Sequence, residues 1–404
     1  MFGACTLLLW GCFKDTATRT YTIQRPILKD LSTALTEING SASEPVQSAG
    51  KLYIKGRYIF LNETDKGIHV IDNVDPAHPV QAAFINIPGN RDIAVKENTL
   101  YADMYTNLLA LDISDLHKVT VSKVIRNFFT SRRNLNGYLL DSNMVVTGWI
   151  SKDTTEKEEL TNRAIPISNC ANCFFATLDS RAASTPGLAG SMAAMVMSRD
   201  FIYAITESQT VGIVNAGNSA DPVKAGIVYA GFDLQTIYPF QDKLFLGSST
   251  GMFMYNISDP VHPVSMGQFS HSRACDPVIT DGKFAYVTLH GGTRCGGANN
   301  ELNVVNVQDI KNTFLLKTYP LTKPTGLCKD GDLLFVCDGT DGVRLFNAAD
   351  PGNLKLLQQI KSNNPYDVIA ANHLAMVVAQ DGLYQYDYSN VNKIRQLSVF
   401  SLKN

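Results

Sequence analysis

The sequence has little net charge and few charged residues. Its 35 basic and 37 acidic residues leave a formal charge of -2, and charged residues make up only 18% of the chain. Proteins that bind nucleic acid carry a basic excess, because the phosphate backbone attracts clustered Lys and Arg side chains. We therefore expect no nucleic-acid partner. A hydrophobic fraction of 45% over 404 residues is typical of a folded chain with several domains or one large repeat architecture.

Beyond its N-terminus, the sequence has no stretch of the roughly 20 uninterrupted apolar residues that a membrane helix needs. Residues 1–12 are apolar and end in Leu9-Trp10-Gly11-Cys12. This ending resembles a bacterial lipobox, and the resemblance implies lipidation of Cys12 and a place in the bacterial cell envelope, at the outer membrane or cell surface. The run is short and lacks a preceding Lys or Arg, so we expect the true start upstream. An apolar tail with two chance cysteines is the alternative.

Several catalytic signatures are also missing. The sequence has no Gly-x-Ser-x-Gly, phosphate loop or dinucleotide fingerprint in a strand-turn-helix context. It also lacks the HxxxH type of spacing that favours a metal site. We therefore assign no catalytic residue, no metal and no cofactor.

The sequence does contain a repeated hairpin. In Asp332–Asp350, an apolar strand (Leu333–Cys337), a Gly-containing turn and a second strand (Val343–Phe346) precede an Asp-Pro stop. The centre of the first strand recurs about every 40 residues, and about four short strands per period are typical of a β-propeller blade. The eight centres are Phe60, Tyr101, Val145, Tyr203, Phe245, Tyr286, Phe335 and Met376. We expect an all-β propeller of eight four-stranded blades, or of seven if the copy at Asn134–Ser180 is degenerate.

The third strand of each copy ends in Asp or Asn before a polar turn, most clearly in IDNVDPAHPV (71–80) and YNISDPVHPV (255–264). These segments resemble the LVIVD repeat of bacterial surface proteins, a β-propeller family. The resemblance runs from about Lys51 to the C-terminus and implies a propeller without a shared catalytic motif. From this resemblance, the N-terminal pattern and the weak periodicity that follows it, we expect a signal-like segment at 1–12, a spacer at 13–48 in which Tyr21–Gln24 could form one strand, and a propeller at 49–404.

Two insertions indicate which end of the ring binds a partner. With the strands of a blade named A to D from the axis outward, the start of strand A and the B–C turn lie at the same end. We assign both insertions, Ile150–Cys170 and His290–Asn300, to B–C turns. Long loops on one face of a rigid scaffold are the usual place of recognition, although neutral insertions are the alternative.

The candidate ligand-binding residues fall into two groups. Asp92, Asp276 and Asp367 start strand A, next to the axis; the alternative is that each carboxylate caps backbone N–H groups of its own turn. The second group breaks the repeat and has side chains suited to carbohydrate, carboxylate or peptide recognition. It comprises Arg132, Arg133, Trp149, Arg273, His290 and Arg294.

The six cysteines beyond the N-terminal segment fall into three pairs according to their positions in the sequence. Cys275 lies just before strand A of the sixth copy and Cys295 lies within the second insertion, so a disulfide between them would hold that loop to its own blade and contribute about 3 kcal/mol. Cys170 and Cys173 form a CxxC that we interpret as a local disulfide, with half of a metal site as the alternative. Cys328 and Cys337 are predicted to be buried free thiols.

The sequence thus predicts a lipid-anchored, exported propeller with a monomeric body that binds a surface protein or a glycan. The alternative is an extracellular propeller enzyme, a glycan-active hydrolase or lyase with paired acids near the axis. Its candidate acids are Asp92, Asp103, Glu207, Asp276, Asp338 and Asp367. A third possibility is a structural scaffold with an apolar patch on an outer blade edge.

Overall fold

A computed structural model of the protein describes residues 16–135, 137–159, 188–271, 277–292, 297 and 299–401. The contacts divide this chain into two units. The smaller unit contains residues 16–29 and 146–159, and the larger contains the described residues of 30–145 and 188–401. None of the helices in the described ranges has the length and apolar character that crossing a membrane requires.

The elements are almost all strands. In chain order they begin with β1 (Thr16–Asp30), α1 (Leu31–Thr36), β2 (Gly40–Ser41), β3 (Ala49–Lys55), β4 (Tyr58–Glu63), β5 (Gly67–Asp72), β6 (Val80–Asn86), β7 (Ile93–Lys96), β8 (Thr99–Met104), β9 (Asn107–Asp112), β10 (Thr120–Ile125), β11 (Asn134–Leu135), β12 (Tyr138–Leu139), β13 (Met144–Glu159), β14 (Leu188–Ala189), β15 (Met195–Ser198), β16 (Phe201–Glu207), β17 (Thr210–Asn215) and β18 (Val223–Tyr229). They continue with β19 (Leu234–Phe240), β20 (Lys243–Ser248), β21 (Gly251–Asn256), β22 (Val264–Ser270), β23 (Val278–Thr280), β24 (Phe284–Leu289), β25 (Glu301–Asn306), β26 (Phe314–Pro320), β27 (Pro324–Asp330), β28 (Leu333–Asp338), β29 (Val343–Asn347), β30 (Lys355–Ile360), β31 (Asp367–Ala371), β32 (Leu374–Ala379), β33 (Gly382–Asp387) and β34 (Arg395–Ser401). Short 3₁₀ turns lie at Thr130–Arg133, Ile310–Asn312 and Gly339–Asp341.

The larger unit contains seven antiparallel blades, not the eight that the markers predicted. They are β3–β6, β7–β10, β15–β18, β19–β22, β23–β26, β27–β30 and β31–β34. The innermost strands contact one another in a closed cycle, β3, β7, β15, β19, β23, β27, β31 and back to β3. The described part of this unit is therefore a seven-bladed β-propeller.

The third of the eight markers, Val145, does not lie in a blade. It belongs to β13, a 16-residue strand that pairs with β1 and not with a neighbouring hairpin strand. The apolar run at its start has the composition of an inner blade strand, and for that reason the sequence pattern miscounted it. The predicted insertion Ile150–Cys170 is accordingly not a B–C turn. Its described part lies in the connection from the second blade to the third.

The smaller unit is a two-stranded ribbon. Thr22 Oγ1 on β1 donates to Asp153 Oδ1 on β13 at 2.7 Å, and Thr147 Oγ1 donates to the carbonyl of Ile27 at 3.4 Å. More of the predicted spacer at 13–48 is folded than the one strand that we expected, because α1 and β2 follow β1. In α1, Leu31 is 1% exposed, and β2 pairs with the outer strand β6 of the first blade.

The seven copies close into a ring because each four-stranded sheet is apolar on both faces and must bury both. The second strand of each blade shows this best. Leu334, Phe335 and Val336 are consecutive and fully buried, with alternate side chains packed against opposite neighbouring blades. A continuous apolar run is therefore the expected sequence of a strand covered on two sides.

The ring closes without a strand shared between the first and last blades. Each is made of four consecutive strands, and side chains join them. Leu52 and Leu61 of the first blade pack with Met376 and Val378 of the seventh. The Tyr366 hydroxyl donates to the Gly50 carbonyl at 2.6 Å across the same boundary.

One Asx turn recurs in all seven blades. The side-chain oxygen of the Asp or Asn that ends the third strand accepts a hydrogen bond from the backbone N–H two residues later. The residues are Asp72, Asp112, Asn215, Asn256, Asn306, Asn347 and Asp387. The last polar residue of the repeat is therefore explained by turn geometry.

The two ends of the ring differ in how much their connections vary. At one end, which we call the constant end, every third strand joins the fourth through seven residues: 73–79, 113–119, 216–222, 257–263, 307–313, 348–354 and 388–394. At the opposite end, which we call the variable end, the B–C turn is two residues in the second blade (105–106) and eleven in the fifth (290–300). The connection from β10 to β15, residues 126–194, also starts and finishes at the variable end.

Candidate functional site

Three charged residues occupy the same repeat position at the variable end, near the start of the innermost strand. Lys51 precedes Leu52, Asp92 precedes Ile93 and Asp367 precedes Val368, and these three apolar residues pair with equivalent residues of the second strand of their blade. The sequence analysis found the two aspartates and missed Lys51. An alignment of the copies at this position would have shown it as the one basic side chain among them.

Asp92 is buried and its carboxylate is fully engaged by the protein. Its Oδ1 accepts from the Ile93 N–H at 2.9 Å, and its Oδ2 accepts from the Ala194 N–H at 2.9 Å. Lys51 Nζ lies 2.9 Å from the same Oδ2, and the exposed fractions of the two side chains are 7% and 2%. Burial lowers the pKa of Lys51 well below its ordinary value, and Asp92 opposes that shift. The structure thus places this predicted ligand-binding residue in an internal ion pair.

Asp367 is buried at the start of the seventh blade. Its carboxylate accepts from the N–H groups of Val368, at 3.0 Å, and Ser191. Burial raises its pKa to about 8, because the charged form loses its hydration and these hydrogen bonds and Lys51 compensate only in part.

A chain segment fills the space between the innermost strands. We call residues 190–194 the plug. The Gly190 N–H donates to the Leu52 carbonyl of the first blade at 3.4 Å, and Ser191 Oγ accepts from the Leu327 N–H of the sixth at 2.6 Å. The Ala193 carbonyl accepts from the Ile237 N–H of the fourth blade at 2.7 Å. The plug therefore binds several blades at once.

The plug explains why the two axial aspartates are buried. Gly190 packs against the Asp367 carboxylate so closely that a Cβ would lie 2.0 Å from Oδ2. Ala194 binds Asp92 from the same segment. Carboxylates at the start of strand A consequently bind backbone N–H groups, as the alternative interpretation predicted, and in addition those of a segment remote in sequence.

Arg132 forms an ion pair with Asp103. The sequence analysis named Asp103 only as a candidate acid of the alternative enzyme hypothesis. The guanidinium pairs with Asp103 Oδ2 and lies 4.7 Å from the ring centroid of Phe129. Asp103 Oδ1 accepts from the N–H groups of Arg91 and Asp92 at 2.9 and 2.6 Å. Burial lowers the pKa of Arg132 to about 10.

The same arrangement recurs in the sixth blade. Asp338 Oδ1 accepts from the N–H groups of Thr322 and Lys323 at 2.8 and 2.7 Å, and Arg344 Nε lies 2.8 Å from its Oδ2. In both blades, an Asp near the end of the second strand thus accepts hydrogen bonds from backbone N–H groups just before the first strand of the same blade. The cation comes from different elements in the two blades, since Arg132 lies in the 3₁₀ turn after β10 and Arg344 lies in β29, so the two pairs are similar local solutions and not one repeated position.

The remaining described candidates lie on different elements of the chain. Arg133 is exposed, and its Nε donates to the Leu140 carbonyl at 3.2 Å. His290 follows β24 at the variable end and is half-buried; burial lowers its pKa and Lys323 lowers it further. Trp149 belongs to the ribbon, where its side chain is 37% exposed.

Several predicted positions lie outside the described residues. They are Cys12, Cys170, Cys173, Arg273, Cys275, Asp276, Arg294 and Cys295. Within the described ranges, no group of three or more His, Cys, Asp or Glu side chains is arranged to hold a metal ion.

The prediction that the last two cysteines are buried free thiols is confirmed for Cys337, and in part for Cys328, which is free but half-buried. Cys328 and Cys337 are free thiols, and Cys328 faces Phe335, not Cys337, across the strand pair. Burial raises the pKa of Cys328 to about 12 and that of Cys337 well above its ordinary value. Both therefore act as small apolar residues.

Comparisons with solved structures show the fold and little sequence similarity. A protein from Lactobacillus plantarum is 12% identical, with a TM-score of 0.55 over 88% of this chain and 98% of its own. The periplasmic gluconolactonase PpgL of Pseudomonas aeruginosa is 11% identical, with a TM-score of 0.53 over 86% and 95%. BamB from Moraxella catarrhalis is 9% identical, with a TM-score of 0.50 over 90% and 99%.

These neighbours and the closed ring define the class of protein, a β-propeller whose structural relatives have diverse functions. No curated protein matches the sequence. Residues 47–84, which cover most of the first blade, match the LVIVD repeat. The chain is thus a β-propeller whose first blade matches this repeat.

Proposed function

We propose that this propeller is a binding module for a surface protein or a glycan, and that it binds through the variable end of the ring. The observation that carries the proposal is the contrast between the two ends. The seven connections at the constant end have equal length, as expected for a repeat under one geometric constraint, whereas the B–C turns at the variable end range from two residues (105–106) to eleven (290–300). Loops that depart from a rigid repeat are where binding proteins differ in specificity.

The polar groups near the axis support binding more than catalysis. A glycoside hydrolase needs two carboxylates about 5–10 Å apart that face its substrate in a pocket. Asp92 and Asp103 are instead 2% and 0% exposed, and each is engaged by backbone N–H groups and a cation. Asp367 contacts the plug.

The experiment is a screen of the purified chain against glycan and peptide arrays, followed by charge removal at each end. The test variant replaces Arg133, Arg273 and Arg294 with Ala, and the matched control replaces three exposed lysines of the constant end, Lys118, Lys311 and Lys393. We expect the test variant to lose at least about tenfold in affinity for any ligand found, and the control to retain it. If the test variant loses no more affinity than the control variant does, the binding site lies on another surface.

We also propose that Cys12 carries a lipid that tethers the module to the bacterial envelope. The support is the Leu9-Trp10-Gly11-Cys12 sequence. Mass spectrometry of the N-terminal peptide from the native organism, together with a Cys12→Ser variant, tests it. Release of the variant into the soluble fraction is the expected result, and an unmodified Cys12 in the native protein would contradict it.

A further inference from the structure

Each outer strand has a residue equivalent to the one at which the first blade pairs with an added strand. In the first blade this position is Phe84, which lies opposite His69, and the register of the other blades identifies its equivalents. In chain order they are Val124, Ile227, Gln268, Thr318, Gln359 and Val399. We call this residue the edge position of its blade.

In the first blade the chain itself adds a strand here. Residues Gly40 and Ser41 of β2 pair antiparallel with Ile85 and Phe84 of β6, and Ser41 Oγ donates to the Phe84 carbonyl at 3.1 Å. Phe84 is only 2% exposed. The fold thus already shows that the outer edge of a blade accepts a fifth strand at this point.

The third blade has an apolar edge position without such a strand among the described residues. Ile227 is 51% exposed, and Tyr229, two residues later on the same side of β18, is 79% exposed. In the fourth, fifth and sixth blades the edge position is Gln268, Thr318 or Gln359. Polar residues at a free sheet edge help to protect it against association. The second and seventh blades also have an apolar edge position, Val124 and Val399, but the residue two positions later is Arg126 or Ser401 there and Tyr229 in the third blade.

The turn that follows β18 extends this surface and is held rigidly. Phe232 is 55% exposed at its centre. The Ala230 N–H donates to the Gln209 carbonyl at 2.9 Å, and the Leu234 N–H donates to the Ser208 carbonyl at 2.8 Å. Two bonds to the B–C turn of the third blade therefore fix the turn that presents Phe232 next to Tyr229.

Two acidic residues lie at this end of the third blade, Glu207 on its second strand, where it accepts a hydrogen bond from the Thr130 hydroxyl, and Asp233 in the turn after β18. Glu207 and Thr210 pair across β16 and β17, and Thr210 pairs with Tyr229, so Glu207 lies in the same row of the sheet as Tyr229. Asp233 directly follows Phe232 in the turn. Glu207 is exposed and Asp233 is half-buried. An occupant of the edge would therefore gain from basic residues at the Tyr229 end.

We propose that the free edge of β18 binds an extended segment of a partner protein by strand addition, antiparallel to β18 as β2 is to β6. The occupant runs from Tyr229 toward Ile227. From its N-terminus, the occupant has basic residues and then an apolar residue opposite Tyr229. Any residue can lie opposite Val228, and a second apolar residue lies opposite Ile227. Backbone hydrogen bonds supply the affinity and the alternate side chains supply the selectivity.

The probe is a fluorescent, capped peptide with the sequence Arg-Arg-Val-Thr-Val-Thr, titrated with the full chain and followed by polarisation. Its matched control is Glu-Glu-Val-Thr-Val-Thr, which keeps the strand propensity and reverses the charge. We expect the basic peptide to bind, and the acidic one to bind about tenfold more weakly at low salt.

Two protein variants locate the site. Ile227→Thr and Tyr229→Ala should each reduce affinity for the basic peptide, whereas Val399→Thr at the edge position of the seventh blade should not. All three residues are exposed, so we expect the variants to fold. Undetectable binding, binding that Ile227→Thr leaves unchanged, or equal binding of both peptides would overturn the proposal. So would a reversible dimer in sedimentation that Ile227→Thr abolishes, because a second copy would then occupy the edge.

Discussion

The imidazole Nε2 of His69 lies 2.7 Å from Oε2 of Glu63 in the interior of the first blade. The amide Nε2 of Gln81 lies 2.7 Å from His69 Nδ1 and can only donate, so the imidazole proton is on Nε2 and is donated to Glu63. Lys66 Nζ lies 3.0 Å from the other Glu63 oxygen. A neutral histidine thus links two strands of a blade through a carboxylate that is 2% exposed.

The first prediction is that protonation of His69 destabilises the fold. Burial lowers its folded-state pKa below the ordinary 6.5, although Glu63 opposes the shift. The unfolded chain then binds more protons, so this residue's contribution to stability is lost as the pH falls through 6.5. In urea unfolding between pH 7.5 and 5, a His69→Gln variant should show a smaller loss of unfolding free energy than the wild type. Parallel curves would contradict the prediction.

The second prediction concerns Asp367. Its folded-state pKa is raised to about 8, so the folded state retains a proton that the unfolded chain releases, and stability is lost as the pH rises from about 4 to 8. Lys51, whose pKa is lowered, acts with the opposite sign. The informative quantity is therefore the difference in unfolding free energy between the wild type and Asp367→Asn. It should decline with pH by up to about 1.4 kcal/mol per unit between pH 5 and 8. A difference independent of pH would refute it.

The third prediction separates Arg132 from its neighbour Arg133. Removing Arg132 leaves the buried Asp103 without its cation, so Arg132→Met should destabilise the protein by about 3–5 kcal/mol. Arg133→Ala is the matched control, because that side chain is exposed and its loss should cost no more than about 0.5 kcal/mol. Equilibrium denaturation measures both. If Arg132→Met with Asp103→Asn is no more stable than Arg132→Met alone, the uncompensated charge is not the cause.

The fourth prediction tests the plug. A Cβ on Gly190 would lie 2.0 Å from the Asp367 carboxylate, so Gly190→Ala should displace the segment and destabilise the ring by about 1–3 kcal/mol or more. Gly352→Ala in a turn of the constant end is the control, since its nearest neighbour would be 3.4 Å away. Thermal unfolding compares them, and equal melting temperatures would show that Gly190 has room to move.

Much of the ring follows from local sequence. The run Leu333–Cys337 is apolar without alternation, which predicts a strand buried on both faces, and β28 is such a strand. The terminal Asp and Asn residues predicted turns, and each forms one. These features depend on neighbours close in the chain, and for that reason the pattern was sufficient.

The number of blades and the environment of the aspartates near the axis could not be predicted from the local sequence pattern. Val145 has the composition of a blade strand, and only its partner, β1, shows that it is not one. Asp92 and Asp367 looked accessible because nothing in their own copies covers them. Residues 190–194 cover them. The sequence of this segment has no periodicity from which its place between the blades could be predicted. Contacts between residues about 100 positions or more apart decided both outcomes.

The boundary between the seventh and first blades is held by packing and side-chain hydrogen bonds, as the other boundaries are. Asn73 and Gln385 exchange two hydrogen bonds there, at 2.9 and 2.7 Å. The polypeptide could consequently be circularly permuted, with new termini at a short connection between two blades, and every four-stranded sheet would keep its hydrogen-bonded ladder. We expect such a permuted chain to close the same seven-bladed ring.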